Sequence, residues 1–405
     1  MDIQKPNEIL IVGLTLPQLL DEYKAYLFDD FLPFMDQHIV DHEYGGFKCH
    51  TDRVGNNLST NKRAWYDGRG IWVYSYLYNH FRPDPDYLKI AKNTIDLVMK
   101  CKPSGDGFWP WSYNQTGVDL GEGLDDIYGN LFIAEGLVEY SVATGDPAYW
   151  EQAKEIILTC AARYDRDDYS YLLEYSPVVS DIKAPRVLGH WMILMHLATS
   201  LLKVKEDAEI EALADRCVNA LLNNHLNPQF NLMVEVLNHD LTLPEGPLSQ
   251  FVYIGHAMET LWMVMDEALR KGDDDLFQRA SSLFKRHVEV AYDDVYGGVF
   301  HGLNHVDQND WLLDKVLWAQ EEVLVGLLLL IEQTGDEWAH RWFNKMYPYV
   351  IDTFSLAKHG YSLWNIGGDR KVTFIKEGIR VENYHHPRHL MLNIQRLERM
   401  ISKSK

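Results

Sequence analysis

The chain has 405 residues, of which 46% are hydrophobic and 24% are charged, a balance typical of a folded globular enzyme with a large core. Its net charge of −21 repels phosphate backbones and anionic lipid surfaces, so we expect neither nucleic-acid binding nor a role at a membrane surface. The net charge does not exclude the binding of neutral or cationic ligands.

The N-terminal residues and the cysteines indicate the compartment. Residues 1–6 lack the basic and apolar layout of a signal peptide, and the longest apolar run, residues 323–331, is too short to span a bilayer. The four cysteines are scattered, which indicates neither a zinc ribbon nor a disulfide scaffold. We therefore predict a cytoplasmic protein.

Twelve helical patterns follow one another along the chain. We predict helices at approximately residues 16–35, 69–81, 86–100, 125–143, 147–164, 188–204, 207–223, 252–270, 275–291, 315–333, 337–354 and 386–400. At residues 144–146 and 334–336 a glycine precedes an aspartate, the chemistry of one helix end beside the next helix start. Such tight links predict antiparallel neighbours.

Short segments rich in glycine and aromatic residues recur within these units. They begin at residues 44, 106, 171, 231, 296 and 360, so that consecutive segments are 60 to 65 residues apart. Two-helix units cannot each bury an apolar face alone, so we expect six of them to close into a ring. The predicted fold is an all-α (α/α)6 barrel of six inner and six outer helices, with short β segments in the connecting loops.

The division into inner and outer helices follows from the apolar patterns. The even-numbered helices are apolar almost all round, as expected for helices packed on both sides, whereas the odd-numbered helices are amphipathic. A closed ring leaves no linker, so residues 1–405 are predicted to form a single catalytic domain.

A residue able to do chemistry stands near the start of each predicted inner helix. These residues are Arg69, Tyr128, His190, His256, Glu322 and His385, at separations of 59, 62, 66, 66 and 63 residues. In a closed ring this spacing places all six at one end, around a cavity where helix N-termini also favour electron-rich ligands.

Aromatic residues are dense in the same segments, Trp65, Trp109, Trp318 and Trp364 among them. Sugars place their C–H faces on aromatic rings while charged groups bind their hydroxyls, which predicts a sugar site. Packing within a large barrel is the alternative role for these aromatics.

Each polar candidate also has a structural alternative. Arg69 fits a surface or capping role, and His190, beside Trp191, fits a buried hydrogen-bonded histidine. Glu259 lies three residues after His256 on the same helix face, where it can orient the imidazole. Glu322 stands among leucines and valines, so its carboxylate needs a partner or a solvated cavity.

Four segments carry a resemblance to a known family. They are residues 62–72, which contain Trp-Tyr-Asp-Gly-Arg-Gly, residues 253–259, residues 315–322, and the Tyr-His-His-Pro-Arg run at 384–388. With these segments in order on six helix pairs, the sequence resembles the N-acylglucosamine 2-epimerase superfamily over nearly its whole length. That superfamily includes cellobiose 2-epimerases, mannose 2-epimerases and aldose–ketose isomerases.

The resemblance implies roles for individual residues. The family's aromatic-His-x-Pro-Arg motif makes His385 a catalytic histidine, with His386 at the variable position. It also implies that His256 is the second catalytic histidine, that Glu259 orients it, and that Arg69 holds the substrate. The family's Trp/Glu pair falls on Trp318 and Glu322, and its last arginine falls on Arg388. His190 falls in a degraded form of its motif.

The residue types suit proton transfer at a carbon next to a carbonyl. Histidine has an unperturbed pKa near 6.5, so one imidazole can accept a proton and another can donate one at neutral pH. We expect the sugar ring to open, one histidine to remove the C2 proton, and an enediolate to form beside Arg69. The opposite histidine then returns a proton to the other face of C2.

No cofactor or metal is expected, because the three histidines lie on different helices without a paired spacing and no phosphate-binding glycine loop is present. The hypothesis is a 2-epimerase for mannose and glucose, acting on a small-molecule sugar as a monomer or homodimer. Its alternatives are an aldose–ketose isomerase, a cellobiose 2-epimerase, a glycoside hydrolase using Asp125, Asp126 or Glu322, and a noncatalytic binding toroid.

Overall fold

The computed structural model of the chain describes residues 10–105, 107–122, 126–173, 183–373 and 380–403. Asp125, one of the candidate hydrolase carboxylates, and Asp106, which begins one of the recurring segments, lie outside the described residues. In the described part, helices α1 to α12 are Leu16–Ala25, Ala64–His80, Pro85–Lys100, Tyr128–Thr144, Pro147–Tyr164, Leu188–Val204, Ala208–Asn219, Ile254–Lys271, Asp274–Ala291, Leu317–Thr334, Glu337–Phe354 and His385–Lys403.

The inner helices form a closed ring. Helices α2, α4, α6, α8, α10 and α12 contact one another in that order, and α12 contacts α2 again. Each remaining helix packs on the inner helix of its own pair, so that α3 packs on α2 and, at the seam, α1 packs on α12. The predicted all-α (α/α)6 barrel is therefore confirmed, with the first and last helices forming the sixth pair.

Burial explains which helices are inside. In α10 nearly every residue up to Ile331 is buried, because the helix packs on both of its faces. In α9 only one stripe is buried, including Phe277, Leu283 and Phe284, and the charged residues face outward. The predicted tight links also form, since Gly145 and Gly335 adopt left-handed backbone conformations and Asp146 and Asp336 cap the following helices.

The first helix continues beyond the end of α1. It passes through the π-helical turn Tyr26–Phe31, the short α-helical stretch Leu32–Phe34 and a second π-helical turn, Met35–Ile39. Pro33 lies between the two wide turns. Because proline has no N–H to donate and its ring crowds the carbonyl four residues earlier, widened turns allow the helix to continue past it.

Short antiparallel strands occupy the loops, as predicted. Strands β1 to β17 are Leu10–Ile11, Leu14–Thr15, His50–Thr51, Asn57–Ser59, Lys62–Arg63, Ser112–Tyr113, Tyr171–Leu172, Lys183–Ala184, Arg186–Val187, Leu226–Asn227, Leu232–Met233, Val236–Leu237, Val252–Tyr253, Gly302–His305, Asp310–Leu312, Lys315–Val316 and Gly367–Gly368. Strands β5, β9, β13 and β16 each end one residue before an inner helix and pair with β6, β12, β14 and β17 respectively. These pairs fix the N-termini of α2, α6, α8 and α10.

No helix in the described ranges combines the length and apolar character needed to cross a membrane.

Candidate active site

A cavity of about 300 Å³ opens at the end of the barrel where the inner helices begin. Seven predicted site residues face it, from all inner helices except α6, which presents Met192 and Ile193 instead. Its lining residues are Arg63, Trp65, Arg69, Trp111, Tyr128, Phe132, Tyr171, Met192, Ile193, Tyr253, His256, Glu259, Trp318, Arg380, Glu382 and His385. The ring thus brings together residues that are hundreds of positions apart.

His385, the first residue of α12, is held by a buried carboxylate. Its Nδ1 lies 2.8 Å from Oε1 of Glu322, and its main-chain N–H donates to Glu382 at 3.2 Å. Burial works against the charge of Glu322, but Arg388 and His385 outweigh it and lower the pKa of this carboxyl to about 2. An ionised carboxylate only accepts hydrogen bonds, so Nδ1 carries the proton and Nε2 is the atom left for a substrate.

Glu322 is also bound on its other sides. Arg388 donates to Oε1 at 2.6 Å, and the Trp262 indole N–H donates to Oε2 at 2.6 Å. The same arginine donates to Glu259 and, at 3.1 Å, to the Tyr384 hydroxyl. Glu322 and Arg388 are therefore buried beneath the cavity, where they hold His385 rather than face the substrate.

Depth along the helices explains this arrangement. Glu322 is the sixth residue of α10, whereas His385 is the first residue of α12. Five residues of α-helix correspond to about 7.5 Å, and at this depth Glu322 is held by Arg388 and Trp262, whereas Glu259, the sixth residue of α8, still reaches the lining. Arg69, the sixth residue of α2, lies equally deep, but its longer side chain points back toward the helix N-terminus and reaches the cavity.

His256 is held by a carboxylate that the sequence analysis did not single out. Its Nδ1 lies 2.9 Å from Oε1 of Glu235, which is completely buried. Burial alone would lower the pKa of His256, but the charge and the hydrogen bond of Glu235 outweigh burial and raise the pKa above its ordinary value. Glu235 stands between two valines in an apolar run, where a carboxylate needs a partner, and this was the available signal.

The main chain fixes Glu235 between two inner helices. Its N–H donates to the Phe251 carbonyl at 2.7 Å, and its carbonyl accepts from the Leu188 N–H at 2.8 Å. The expected pairing of Glu259 with His256 is corrected: within the described ranges no hydrogen bond joins them, and Glu259 accepts from Arg388. The three-residue spacing correctly indicated a shared helix face, but that face also meets α12.

Arg69 brings an unpaired charge to the cavity. Its guanidinium carbon lies 4.1 Å from the Phe132 ring centre, 4.8 Å from that of Tyr384 and 4.9 Å from that of Trp65. No carboxylate among the described residues forms an ion pair with it, and its Nε is buried without a hydrogen bond. Burial lowers its pKa, but arginine stays protonated in proteins, so this cation is available for a developing oxyanion.

Trp318 lies between the two histidines. Its ring centre is 5.7 Å from that of His256 and 5.0 Å from that of His385. The indole rests against the backbone at Gly255, where a Cβ atom would come within 2.1 Å of its Cη2. Only glycine allows this approach, so residue 255 sets the position of the ring that both histidines contact.

His190 does not face the cavity. It is fully buried among tyrosine rings, with Tyr128 at 4.4 Å and Tyr171 at 4.8 Å, and neither ring nitrogen has a hydrogen-bond partner in the described part of the chain. Burial, followed by the charges of His256 and Arg186, places its pKa well below the ordinary value. His190 is thus neutral near pH 7 and packs behind Tyr128.

Two predicted tryptophans also lie away from the cavity. The Trp109 indole N–H donates to the Val98 carbonyl at 2.9 Å, so this residue packs on α3. Trp364 contacts Tyr26 and His386, at ring-centre distances of 5.4 Å and 4.7 Å, beside a separate small cleft.

His386, Asp126 and Glu322 also lie outside the cavity lining. His386 Nδ1 lies 2.5 Å from Glu321, on the side of α12 away from the cavity. Asp126 accepts from the N–H of Tyr128, the first residue of α4, at 2.5 Å. Of the candidate hydrolase carboxylates within the described residues, neither Asp126 nor Glu322 lines the cavity.

Two buried groups have the ligand types of a metal site within the described ranges. In the first, Glu259, Glu322 and His385, the guanidinium of Arg388 already bridges both carboxylates. In the second, the ligand atoms of Glu321, His386 and His389 lie within 4.8 Å of one another, outside the cavity lining. A divalent cation fits the donor types of the second group, which also contacts Tyr23 through His389 at 3.1 Å.

Comparisons with known proteins place the chain among sugar epimerases by sequence. The family model described as N-acylglucosamine 2-epimerase (GlcNAc 2-epimerase) matches residues 45–385. The chain is 25% identical over 390 residues to an N-acylglucosamine 2-epimerase from Bos taurus, a match that covers 93% of this chain and 90% of the bovine protein.

Two solved structures show the same fold. A cellobiose 2-epimerase from Spirochaeta thermophila DSM 6192 matches with a TM-score of 0.81 and 17% identity, over 95% of this chain and 98% of that one. A D-mannose isomerase matches with a TM-score of 0.76 and 16% identity, over 98% of this chain and 100% of that one.

Proposed function

The chain belongs to the N-acylglucosamine 2-epimerase family and is thus an isomerase acting on sugars, and we propose that it interconverts the C2 epimers of a free aldose, with D-mannose and D-glucose as the preferred pair. In this proposal His256 and His385 are the proton-transfer residues. The substrate contacts are Trp65, Arg69, Tyr128, Glu259 and Trp318, all of which line the cavity.

One observation supports the proposal above the others. Two histidines face one cavity from different helices, and the Nδ1 of each lies against its own buried carboxylate. Both imidazoles line the same cavity and contact the Trp318 ring. A reaction that removes a proton from one face of a carbon and returns one to the opposite face requires two such groups.

The steps follow from these positions. With the sugar in its open form, one neutral imidazole accepts the C2 proton, and the electron pair of the broken C–H bond passes into an enediolate. The unpaired guanidinium of Arg69 stabilises the negative charge that develops on the oxygen at C1 or C2. The other histidine, protonated, then delivers its proton to the opposite face of C2, which inverts that centre.

An aldose–ketose isomerase is the second candidate, because the same enediolate gives a ketose when the proton returns to C1. The shared fold with a D-mannose isomerase supports it. Product analysis separates the two: an epimerase converts mannose to glucose, whereas fructose formed from mannose without the 2-epimer would contradict our preference. A cellobiose 2-epimerase would use the same steps on a disaccharide.

The test is incubation of a panel of aldoses and cellobiose in D2O, with deuterium at C2 and the products read by NMR. We expect exchange at C2, and a loss of turnover of at least about 100-fold in His256→Asn and in His385→Asn, since general acid–base groups contribute about 10²–10⁴ in rate. His239→Asn, an exposed loop histidine, is the matched control. Absence of exchange with every sugar would end the proton-transfer proposal.

The proposal also covers the domain organisation, the oligomeric state and the compartment of the protein. We propose that the whole chain acts as one catalytic domain, as a monomer or homodimer in the cytoplasm. All four cysteines are free, and three of them are buried, which suits a reducing compartment.

A further inference from the structure

Two more arginines, besides Arg69, stand on the cavity wall. Arg63 is the last residue before α2, and Arg380 lies five residues before α12. The guanidinium carbon of Arg63 lies 5.2 Å from the Trp111 ring centre, and that of Arg380 lies 5.2 Å from the Trp65 ring centre. The side chain of Arg380 is 34% exposed, so this part of the wall is open to solvent.

Positive charge exceeds negative charge on this wall. Among the described residues Arg63 has no ion pair, and the nearest carboxylate to Arg380 is Glu382, at 3.8 Å. Glu382 itself accepts hydrogen bonds from two main-chain N–H groups at the start of α12, and the other carboxylate in the lining, Glu259, binds Arg388. Three guanidinium groups therefore face one partly satisfied carboxylate, in a protein whose net charge is −21.

The fields of Arg63 and Arg380 overlap. His50 lies near both, and its pKa is lowered first by burial and then by the charges of these two arginines. Keeping cations together in a partly desolvated site without counter-charges costs free energy, so an excess of this kind indicates a ligand that supplies the negative charge. The position of Arg63 and Arg380 relative to the reacting carbons indicates which part of the ligand carries this negative charge.

We propose that the preferred substrates are derivatives of the mannose and glucose pair that carry an anionic group, such as a carboxylate or phosphate, at the end distant from C1, and that Arg63 and Arg380 bind this group. The inference rests on the proposed function, which assigns Arg69 to the oxygen at C1 or C2. Arg69 and Arg380 lie 4.9 Å and 5.2 Å from the same Trp65 ring, close enough for one sugar to reach both. Planar guanidinium groups bind carboxylate and phosphate oxygens in pairs, which fixes the orientation of the sugar.

Matched substrates test the inference. D-glucose, D-glucuronate and D-glucose 6-phosphate are compared by the rate of deuterium exchange at C2. We expect kcat/KM for one of the two anionic sugars to exceed that for glucose at least about tenfold, and this preference to fall as salt screens the charges. The comparison of D-glucuronate with D-glucose 6-phosphate shows whether the site binds a carboxylate or a phosphate.

Variants locate the preference. Arg63→Gln and Arg380→Gln should each lower the ratio of anionic to neutral kcat/KM by about tenfold, whereas Arg63→Lys and Arg380→Lys, which keep the charge, should retain part of it. Arg82→Gln, beyond the opposite end of α2, removes the same charge far from the cavity and should leave the ratio unchanged. An unchanged ratio in both cavity variants, with folding confirmed by circular dichroism, would overturn the assignment.

A binding measurement separates this inference from the proposed reaction. Methyl glucuronide and methyl glucoside cannot open, so their affinities, measured by calorimetry, do not depend on turnover. Tighter binding of the glucuronide that is lost in the Arg63→Gln/Arg380→Gln double variant supports the anion site even if no sugar exchanges at C2. Equal or weaker binding of the glucuronide, with no preference for the phosphate sugar, overturns the anion site while leaving epimerisation of neutral aldoses intact.

Discussion

His256 and His385 differ in how their carboxylate partners are themselves bound. Glu322 is shared between His385, Arg388 and Trp262, so its charge is already largely balanced. The pKa of His256, by contrast, is raised by the charge and hydrogen bond of Glu235. Single substitutions at these carboxylates should therefore have different consequences, one for proton transfer and one for stability.

Glu235→Gln should change the pH dependence of the reaction. The amide oxygen still accepts from Nδ1, but the negative charge is gone, so the pKa of His256 falls toward and below its ordinary value. Where His256 acts as the base, the acidic limb of the kcat/KM profile should move to lower pH, and in the reverse reaction the alkaline limb should move in the same direction. Profiles measured in both directions, with neither limb displaced, would contradict the role of Glu235.

The same substitution has a signature in stability. A histidine whose folded pKa is raised contributes stability that is fully present below its unfolded pKa, near 6.5, and is lost as pH rises through the folded pKa. The Tm difference between the native protein and Glu235→Gln should therefore be larger at pH 5.5 than at pH 9. A pH-independent difference would mean that Glu235 acts through packing alone.

Arg388→Met should destabilise the fold. The arginine is 1% exposed and binds Glu259 and Glu322, so its loss leaves two buried carboxylates without their cation. Removing one partner from a buried ion pair costs about 3–5 kcal/mol, which urea unfolding would detect. Lys92→Met, which breaks a solvent-exposed pair with Asp96 on α3, is the control and should cost less than about 1 kcal/mol.

At the scale of helices, the contact between α8 and α10 positions the aromatic ring between the histidines. In Gly255→Ala the new Cβ atom would overlap the six-membered ring of Trp318, so the indole must move away from both imidazoles. We expect kcat/KM to fall at least about tenfold, because displacements of about 1 Å have effects of this size or larger. The measurement is C2 exchange, with folding checked by circular dichroism.

A second substitution tests that explanation. Trp318→Phe shortens the ring and frees the space beside residue 255, so the Gly255→Ala/Trp318→Phe double variant should be less impaired than the product of the two single effects predicts. Additive losses in the double variant would show that Gly255 acts independently of Trp318.

Helices were predictable where their apolar pattern was long. The sequence predicts α10 at residues 315–333, and the structure has Leu317–Thr334. The predicted start of α2 at residue 69 was wrong, because α2 begins at Ala64 and runs through two glycines that resemble a helix break. Burial of this segment against α4 outweighs the low helix propensity of glycine, which sequence patterns alone do not reveal.

The sequence predicted which residues gather at the site but not how deep each one lies in the barrel. The repeat correctly indicated that residues near inner-helix starts lie at one end of the barrel, and Arg69, Tyr128, His256 and His385 do line one cavity. It did not reveal that Glu322 lies one and a half turns down its helix. Glu235 was missed because it enters from a strand connection rather than from an inner helix.

At the scale of the whole molecule, the barrel closes where the chain's first and last helices meet. The Tyr23 hydroxyl contacts His389 Nε2 at 3.1 Å, and the Asn383 amide donates to the Tyr66 carbonyl at 3.0 Å. The Tyr66 hydroxyl in turn donates to the Val381 carbonyl at 2.9 Å. Every inner helix thus has two inner neighbours, and none is an end of a stack.

A ring without ends should unfold as one unit, which tests the prediction of a single domain. Denaturation curves from circular dichroism at 222 nm and from tryptophan fluorescence should coincide and fit one transition. Tryptophans lie on both the inner and the outer helices, so fluorescence reports on both layers. Two separated transitions would indicate independent domains and contradict the prediction.

The position of α12 in the ring has a consequence for the protein's synthesis. A ribosome adds His385 and Arg388 only after the other eleven helices have been made, and Glu259 and Glu322 have no described cation to bind until that moment. A chain without α12 therefore lacks both His385 and Arg388, and its site is incomplete. Substrate can stabilise this protein only once α12 has closed the ring, because a ligand stabilises the state that binds it.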